Sequence, residues 1–261
     1  MPDYYDTGTQ LNEYLVFHYG DDAQVLQWDF GPVQALGFHK RLVGRIDADR
    51  LPSGSRALDL GCAVGRITFE LSKFCESVIG IDYSESFIKA ANFIKASGTA
   101  SLRLTREGSL ATTAEVRLAS DLARDRVSFL QGDAENLPAS LGKFDVVILA
   151  NLLDRVARPR KVLEKLPGLT RSGAQVVICS PFTWWDDFTD PDQRLGGFVR
   201  DGKEVTSMDT ITQLLNENFF PPVIGDEPFL IRQHERKFFM SVAHVGVWTR
   251  KIVSNLPDYL I

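Results

Sequence analysis

Eight residues constrain this chain more than any others: Leu58-Asp59-Leu60-Gly61-Cys62-Ala63-Val64-Gly65. Ala57 to Gly61 reads as a short buried strand entering a turn, and Ile67, Phe69, Leu71 and Phe74 suggest the helix that follows. A glycine turn between a strand and a helix start lets backbone N–H groups approach an anionic ligand closely. The segment alone also fits a plain strand–helix turn. Spacing limits the ligand. Dinucleotide-binding loops carry G-x-G-x-x-G, whereas here Ala63 holds the middle position between Gly61 and Gly65. That disfavours a dehydrogenase.

The rest of the chain repeats the alternation. Further strands are expected at Ser77–Asp82, Val127–Leu130, Phe144–Leu149 and Gln175–Cys179. A helix capped by Ser84 carries Phe87, Ile88, Ala91 and Ile94 and closes at Gly98. An added hairpin is expected near 100–118, turning at Glu107-Gly108, and another helix near Met208 to Asn218. Phe229–Arg232 and Phe238–Ala243 are close enough in sequence to pair antiparallel. Strand–helix alternation implies a parallel sheet with helices on both faces. A mostly parallel seven-stranded sheet ending in a reversed hairpin is the layout of class I S-adenosylmethionine-dependent methyltransferases. The expected division is a helical N-terminal extension over 1–50, serving as a lid, and an α/β domain over 51–261.

Four positions in order strengthen that reading. Asp59 stands two residues before the first glycine, resembling the methyltransferase loop that holds the methionine part of the cofactor. Asp82 ends the second strand, where a carboxylate can accept both ribose hydroxyls. Gly132-Asp133-Ala134 follows the third strand, where this superfamily has an acid near the adenine. Asn151 follows the fourth, facing the transferred methyl. Each alone is more often a loop residue; together they point to adenosylmethionine.

Charge and cysteine usage remove other classes. Lys plus Arg total 29 against 34 Asp plus Glu, a net charge of −5, which argues against a nucleic-acid binder. Asn151 is followed by Leu152-Leu153 rather than Pro-Pro-aromatic, which disfavours DNA amino-methylation. Three cysteines without C-x-x-C spacing suggest neither disulfides nor zinc, and scattered histidines give no metal-ligand pattern; no metal is expected. With an acidic N-terminus and no long apolar run, the expectation is a cytoplasmic protein without membrane contact.

Beyond the cofactor loop, the chain resembles the 4-mercaptohistidine N1-methyltransferase family, which includes the C-terminal domain of the ovothiol-forming sulfoxide synthase. The resemblance is carried by Tyr4-Tyr5-Asp6-Thr7, Glu13-Tyr14-Leu15-Val16-Phe17-His18-Tyr19-Gly20, the loop 58–66, Phe69-Glu70-Leu71 and Gly80-Ile81-Asp82-Tyr83-Ser84. Glu107-Gly108, Gln131-Gly132-Asp133-Ala134, Asn136-Leu137-Pro138 and Ser180-Pro181-Phe182-Thr183-Trp184 extend it over nearly the whole chain, with a looser match at Arg236–Val242. It implies a stand-alone methyltransferase acting on the imidazole nitrogen of 4-mercaptohistidine (5-thiohistidine) to give ovothiol A, in the pathway of the sulfoxide synthase. Methylation of another small amino acid or amine, or a catalytically silent cofactor-binding partner, are the competing readings.

The candidate cofactor residues are therefore Asp59, Gly61, Cys62, Ala63, Gly65, Asp82, Tyr83, Ser84, Asp133, Ala134 and Asn151, with Arg41 added by position and family pattern for the cofactor carboxylate. Methyl transfer chiefly needs the acceptor nitrogen held in line with the methyl. His18 or Tyr19 could serve as general base, or water could suffice; His18, beside Tyr14 and Phe17, equally fits a packed core residue. For an amino-acid acceptor, Arg232, Arg236 or Lys237 could pair with the carboxylate, and Asp154, Asp186 or Asp187 with the ammonium. Trp184 and Trp185 could wall the pocket. Leu11, Tyr14, Leu15 and His18 share helical spacing, so that face should dock on the domain and cover the site as a lid.

Overall fold

The computed structural model describes residues 8–252. Three helices come first: α1 (Gly8–Tyr19), α2 (Asp22–Val25) and α3 (Phe38–Val43). The alternating part follows with β1 (Arg56–Leu60), α4 (Arg66–Leu71), β2 (Ser77–Asp82) and α5 (Glu85–Ser97). An antiparallel insert, β3 (Thr99–Glu107) and β4 (Leu110–Arg117), precedes β5 (Val127–Gln131) and β6 (Phe144–Ala150). Then come α6 (Pro159–Leu169), β7 (Thr170–Ser180), a small hairpin of β8 (Phe198–Arg200) and β9 (Lys203–Val205), and α7 (Ser207–Leu215). The long strands β10 (Val223–His234) and β11 (Lys237–Thr249) end the described chain.

Seven strands form one sheet in the order β10-β11-β7-β6-β1-β2-β5. β1, β2, β5, β6 and β7 run parallel, while β11 is antiparallel to both β7 and β10. This is the class I methyltransferase arrangement. Successive side chains explain why the central strands are apolar throughout. Ala57, Val146, Ile148 and Val177 enter one core layer, and Leu58, Leu60, Val147, Leu149 and Val176 enter the other. Phe69, Phe87 and Ala91 complete the first layer; Val162, Leu166, Ile211 and Leu215 complete the second.

The expected elements are present, with the inserted and C-terminal hairpins longer than the apolar runs alone suggest. Ladder hydrogen bonds carry both beyond their hydrophobic centres. Helix α1 rests against β3 and β10, and its residues are covered on several sides. Asn12 trades two hydrogen bonds with the Arg103 backbone, at 2.6 and 2.9 Å. At the other hairpin tip the Glu235 N–H donates to Thr105 O at 2.9 Å, and Trp28 Nε1 donates to Glu235 O at 3.1 Å. Three segments remote in sequence thus meet in one cap above the carboxyl ends of the parallel strands. Tyr4-Tyr5-Asp6-Thr7 lie outside the described residues.

Candidate active site

The loop after β1 is shaped by conformations that few residues tolerate. Gly61 has φ +74° and Gly65 φ +94°; a Cβ at Gly65 would stand 2.6 Å from the Phe129 ring. Ala63 also has a positive φ, 46°, an uncommon state for a side chain with a Cβ. What holds it there is Asp82. The Ala63 N–H donates to Asp82 Oδ2 at 2.8 Å and the Ser84 N–H to Oδ1 at 2.9 Å, tying the loop to the end of β2. Ser84 Oγ in turn caps α5 through Phe87 N.

Beside this loop lies a cavity of about 540 Å³, within the range of small-molecule sites. Gly61, Cys62, Ala63, Asp82, Tyr83, Ser84, Asp133, Ala134 and Asn151 line it. Asp133 caps a short turn, accepting from Glu135 N at 2.8 Å and Asn136 Nδ2 at 2.5 Å. Asn151 has φ +52°, donates its N–H to Cys179 O at 2.7 Å, and keeps a buried Oδ1 without a partner among the described residues. An orphan buried acceptor beside a glycine-built loop is what a polar nucleoside ligand needs, so the residues fit an adenosyl cofactor.

Asp59 and Gly65 are set back from the cavity wall. The Asp59 carboxyl is buried behind the loop, accepting from Thr68 Oγ1 at 2.7 Å, while Oδ1 has no partner among the described residues. Burial, aided by the nearby Asp82 charge, pushes its pKa up to about 7. Asp59 and Gly65 therefore position the loop from behind. Arg41 does not reach the cavity. Its guanidinium donates to Glu227 at 2.9 Å and to the Leu36 and Pro228 carbonyls, pinning α3 to β10.

The opposite charge and aromatic lining comes from the cap. Gln10, Glu13, Tyr14, Phe17 and His18 line the cavity from α1, a helical stripe offset from the Leu11-Tyr14-Leu15-His18 face read from apolar spacing. A wall that meets a polar ligand need not be apolar, which is why hydrophobic periodicity alone misplaces it. Phe38 and His39 come from α3, Phe229 and Gln233 from β10, and Lys237 and Phe239 from β11. The rings of His18 and His39 stand 4.0 Å apart between centroids. His18 Nδ1 accepts the Arg66 N–H at 3.3 Å, which places the imidazole proton on Nε2. Burial first, and the Arg66 charge second, lower the His18 pKa to about 3. His18 is thus neutral, with its proton on Nε2, and a poor base.

Several other sequence-based assignments change. Tyr19 is buried away from this cavity, and its hydroxyl donates to Val64 O at 2.6 Å, with burial raising its pKa; it braces α1 against the loop and is no base. Trp184, at φ +50°, turns into the core and donates to Ser207 Oγ at 3.0 Å, leaving Trp185 on the cavity wall. The Arg155 guanidinium covers that Trp185 ring at 4.4 Å. Asp154 lines the cavity, but Ser180 Oγ, Thr183 N and Arg155 occupy its carboxylate at 2.9, 3.0 and 2.9 Å. Asp186 is exposed and paired with Arg194, and Asp187 is exposed. Arg232 is buried on the face of β10 opposite Ile231 and Gln233, donating to Gln24 O at 2.6 Å and Thr105 O at 3.3 Å. Arg236 lies over the Trp28 ring. Of the proposed acceptor cations, Lys237 reaches the cavity. Glu13, quoted above only as part of a resemblance, is the acid that the structure adds.

Among the described residues no helix is long and apolar enough to cross a membrane, and no cluster of three metal-ligating side chains occurs. Comparison with known proteins places the architecture. A demethylmenaquinone methyltransferase from Clavibacter sepedonicus is 29% identical over 127 residues, 49% of this chain and 41% of that protein. A ubiquinone biosynthesis O-methyltransferase from Aromatoleum aromaticum is 29% identical over 134 residues, 51% of this chain and 47% of that protein. The match spans less than half the length of these curated relatives. Magnesium protoporphyrin IX methyltransferase from Synechocystis PCC 6803, solved with bound S-adenosylhomocysteine, superposes with a TM-score of 0.54 at 16% identity, covering 95% of this chain and 97% of that one. An N-methyltransferase from Bradyrhizobium japonicum WM9 gives 0.51 at 17% identity, covering 92% and 98%. These likenesses establish the class I fold. Residues 51–206, well over half of the sequence, match the model of the methyltransferase domain family, so the chain belongs to that family.

Proposed function

We propose that this enzyme uses S-adenosylmethionine to methylate an imidazole nitrogen of 4-mercaptohistidine, giving ovothiol A. The observation that carries the reading is where the resemblance falls in space. Glu13-Tyr14-Leu15-Val16-Phe17-His18, outside the 51–206 match, forms the helix that lines the same cavity as Gly61, Cys62 and Ala63. Acceptor choice would then reside in the cap over residues 1–50 and the C-terminal hairpin, with the 1–50 segment acting as a lid on the 51–261 domain.

When bound, the cofactor supplies an electrophilic methyl group on a sulfonium. Asp82, already oriented by two backbone amides, would take the ribose hydroxyls, and the 61–63 backbone would hold the methionine part. The Asn151 carbonyl oxygen offers an acceptor at the end of β6. The chain's own part would be to hold the acceptor's ring nitrogen in line with that methyl, between the α1 wall and the 61–63 loop. His18 does not take the ring proton, since its Nδ1 is engaged and its pKa is low; it can instead donate from Nε2 to the acceptor's thiolate. The proton leaves to water. In this reading the sulfoxide synthase pathway supplies the thiolated substrate.

An acceptor panel of 5-thiohistidine, histidine and ergothioneine with adenosylmethionine, scored for methylated product, tests the assignment. A site built around a thiolate discriminates strongly against its absence. Expected is a kcat/KM for 5-thiohistidine at least about 100-fold above that for histidine. Comparable values for the two would overturn the thiolated acceptor.

A further inference from the structure

Four carboxylates line the cavity: Glu13, Asp82, Asp133 and Asp154. Three already have work to do. Asp82 accepts from Ala63 and Ser84, Asp133 from Glu135 and Asn136, and Asp154 from Ser180, Thr183 and Arg155. Glu13 differs. It is only 8% exposed, yet its carboxylate accepts no hydrogen bond from any described residue. Its oxygens open onto the cavity rather than the core, so a ligand that fills the space strips their water and must supply the partner. Burial raises the Glu13 pKa, with the charge of Lys237 opposing.

Lys237 is the counterpart. It lines the same cavity from the start of β11, close enough for its charge to act on Glu13, but no ion pair within 4.0 Å joins the two. The other cation on the wall, Arg155, is spent on Asp154 and the Trp185 ring. One unpartnered acid and one unpartnered base therefore face a single space without neutralising each other. A ligand carrying an ammonium and a carboxylate on one carbon matches that arrangement. A quinone or other uncharged ring would displace water from Glu13 without supplying a partner.

We infer that Glu13 and Lys237 form the head-group subsite of the acceptor: Glu13 binds the α-ammonium and Lys237 the α-carboxylate of an amino acid whose side chain extends past His18. The inference deepens the acceptor reading above and rests on it for the identity of the ring. Both residues set specificity by binding and neither handles the reacting atoms.

The test is a titration of the full chain saturated with S-adenosylhomocysteine. The probes are 5-thiohistidine, its des-amino analogue and its decarboxylated analogue, alongside histidine, imidazolepropionate and histamine. Removing the ammonium should weaken wild-type binding about 10–100-fold, the usual range for a hydrogen bond to a charged group. In Glu13→Gln that difference should vanish, with 5-thiohistidine falling to the affinity of its des-amino analogue. Lys237→Met should likewise erase discrimination against the decarboxylated analogue, about 3–10-fold because Lys237 is exposed. Because Lys237 is exposed, that variant keeps the test informative if Glu13→Gln folds poorly; a thermal melt reports on both. Headgroup-dependent binding without methylation of 5-thiohistidine would retain the clamp and discard the thiolated ring. Variants that lose affinity equally for all three probes of a series, or no dependence on headgroup in either series, would overturn the clamp.

Discussion

Replacing Asp82 with alanine should cost the enzyme its adenosyl ligand before it costs the fold. The carboxylate does two things at once. It receives the Ala63 and Ser84 amides at 2.8 and 2.9 Å, and it stands on the cavity wall where ribose hydroxyls would bind. Each hydrogen bond to a charged group contributes about 1.5–3 kcal/mol. Asp82 is half-buried, so the lower figure applies, and losing two ligand bonds costs about 3 kcal/mol, or roughly 100-fold in affinity. Freed from its amide tie, Ala63 also relaxes from φ +46°, which loosens the loop further. Asp82→Asn keeps one acceptor oxygen and should lose about 10-fold, half of the free energy. Calorimetric titration with S-adenosylhomocysteine reads the affinity, and circular dichroism with a thermal melt confirms the fold. A folded Asp82→Ala protein that binds within about threefold of wild type would refute the reasoning, because neither role of the carboxylate would then matter.

Two further outcomes concern titration. The Asp59 carboxyl has its folded pKa raised from 3.8 to about 7, so the folded state holds the proton more tightly than the unfolded chain. Ligand-free stability should therefore be fully retained below about pH 4 and decline up to about pH 7, by an amount of order 4 kcal/mol. Asp59→Asn should flatten that decline and melt higher than wild type at pH 8; an unchanged slope in urea titrations across this range would show that Asp59 ionises normally. For His18, a pKa near 3 means that no inflection between pH 5 and 8 in kcat/KM belongs to it. His18→Gln should shift the rate without changing the shape of the profile, and an inflection lost in the variant would restore His18 as the base.

What sequence reveals here divides along the sheet. The strands and the loop 61–65 are legible because burial on both faces forces apolar runs, and Gly61 and Gly65 mark backbone states that need them. Asp82 is legible for the same reason, since a strand end locates it. Trp184 and Trp185 are not: two positive-φ residues, Phe182 and Trp184, reverse which neighbour faces inward. Arg232 depends on the pleat of β10, where Ile231 and Gln233 take the cavity side and Arg232 the other. Arg41 depends on a contact with Glu227, 186 positions away. Glu13 is hidden most thoroughly, because what marks it is a partner it lacks.

The cap described above also has a history within each molecule. Helix α1 is synthesised some 210 residues before β10, the strand it rests on; at about 5–20 residues per second that is roughly 10–40 s of waiting. For that interval Tyr14 and Phe17 have neither β10 nor the cavity to cover them, although β3 arrives about midway and offers Asn12 its Arg103 partner. The cofactor half can collapse around β1, β2 and β5 in the meantime, since its strands are complete. The α1 side of the cavity is thus the last part of the protein to exist, closing when Phe229 reaches Phe17 and Glu235 reaches Thr105. A nascent chain halted before β10 would carry a finished 61–65 loop beside a cavity still open along the side that Phe229, Ile231 and Gln233 line.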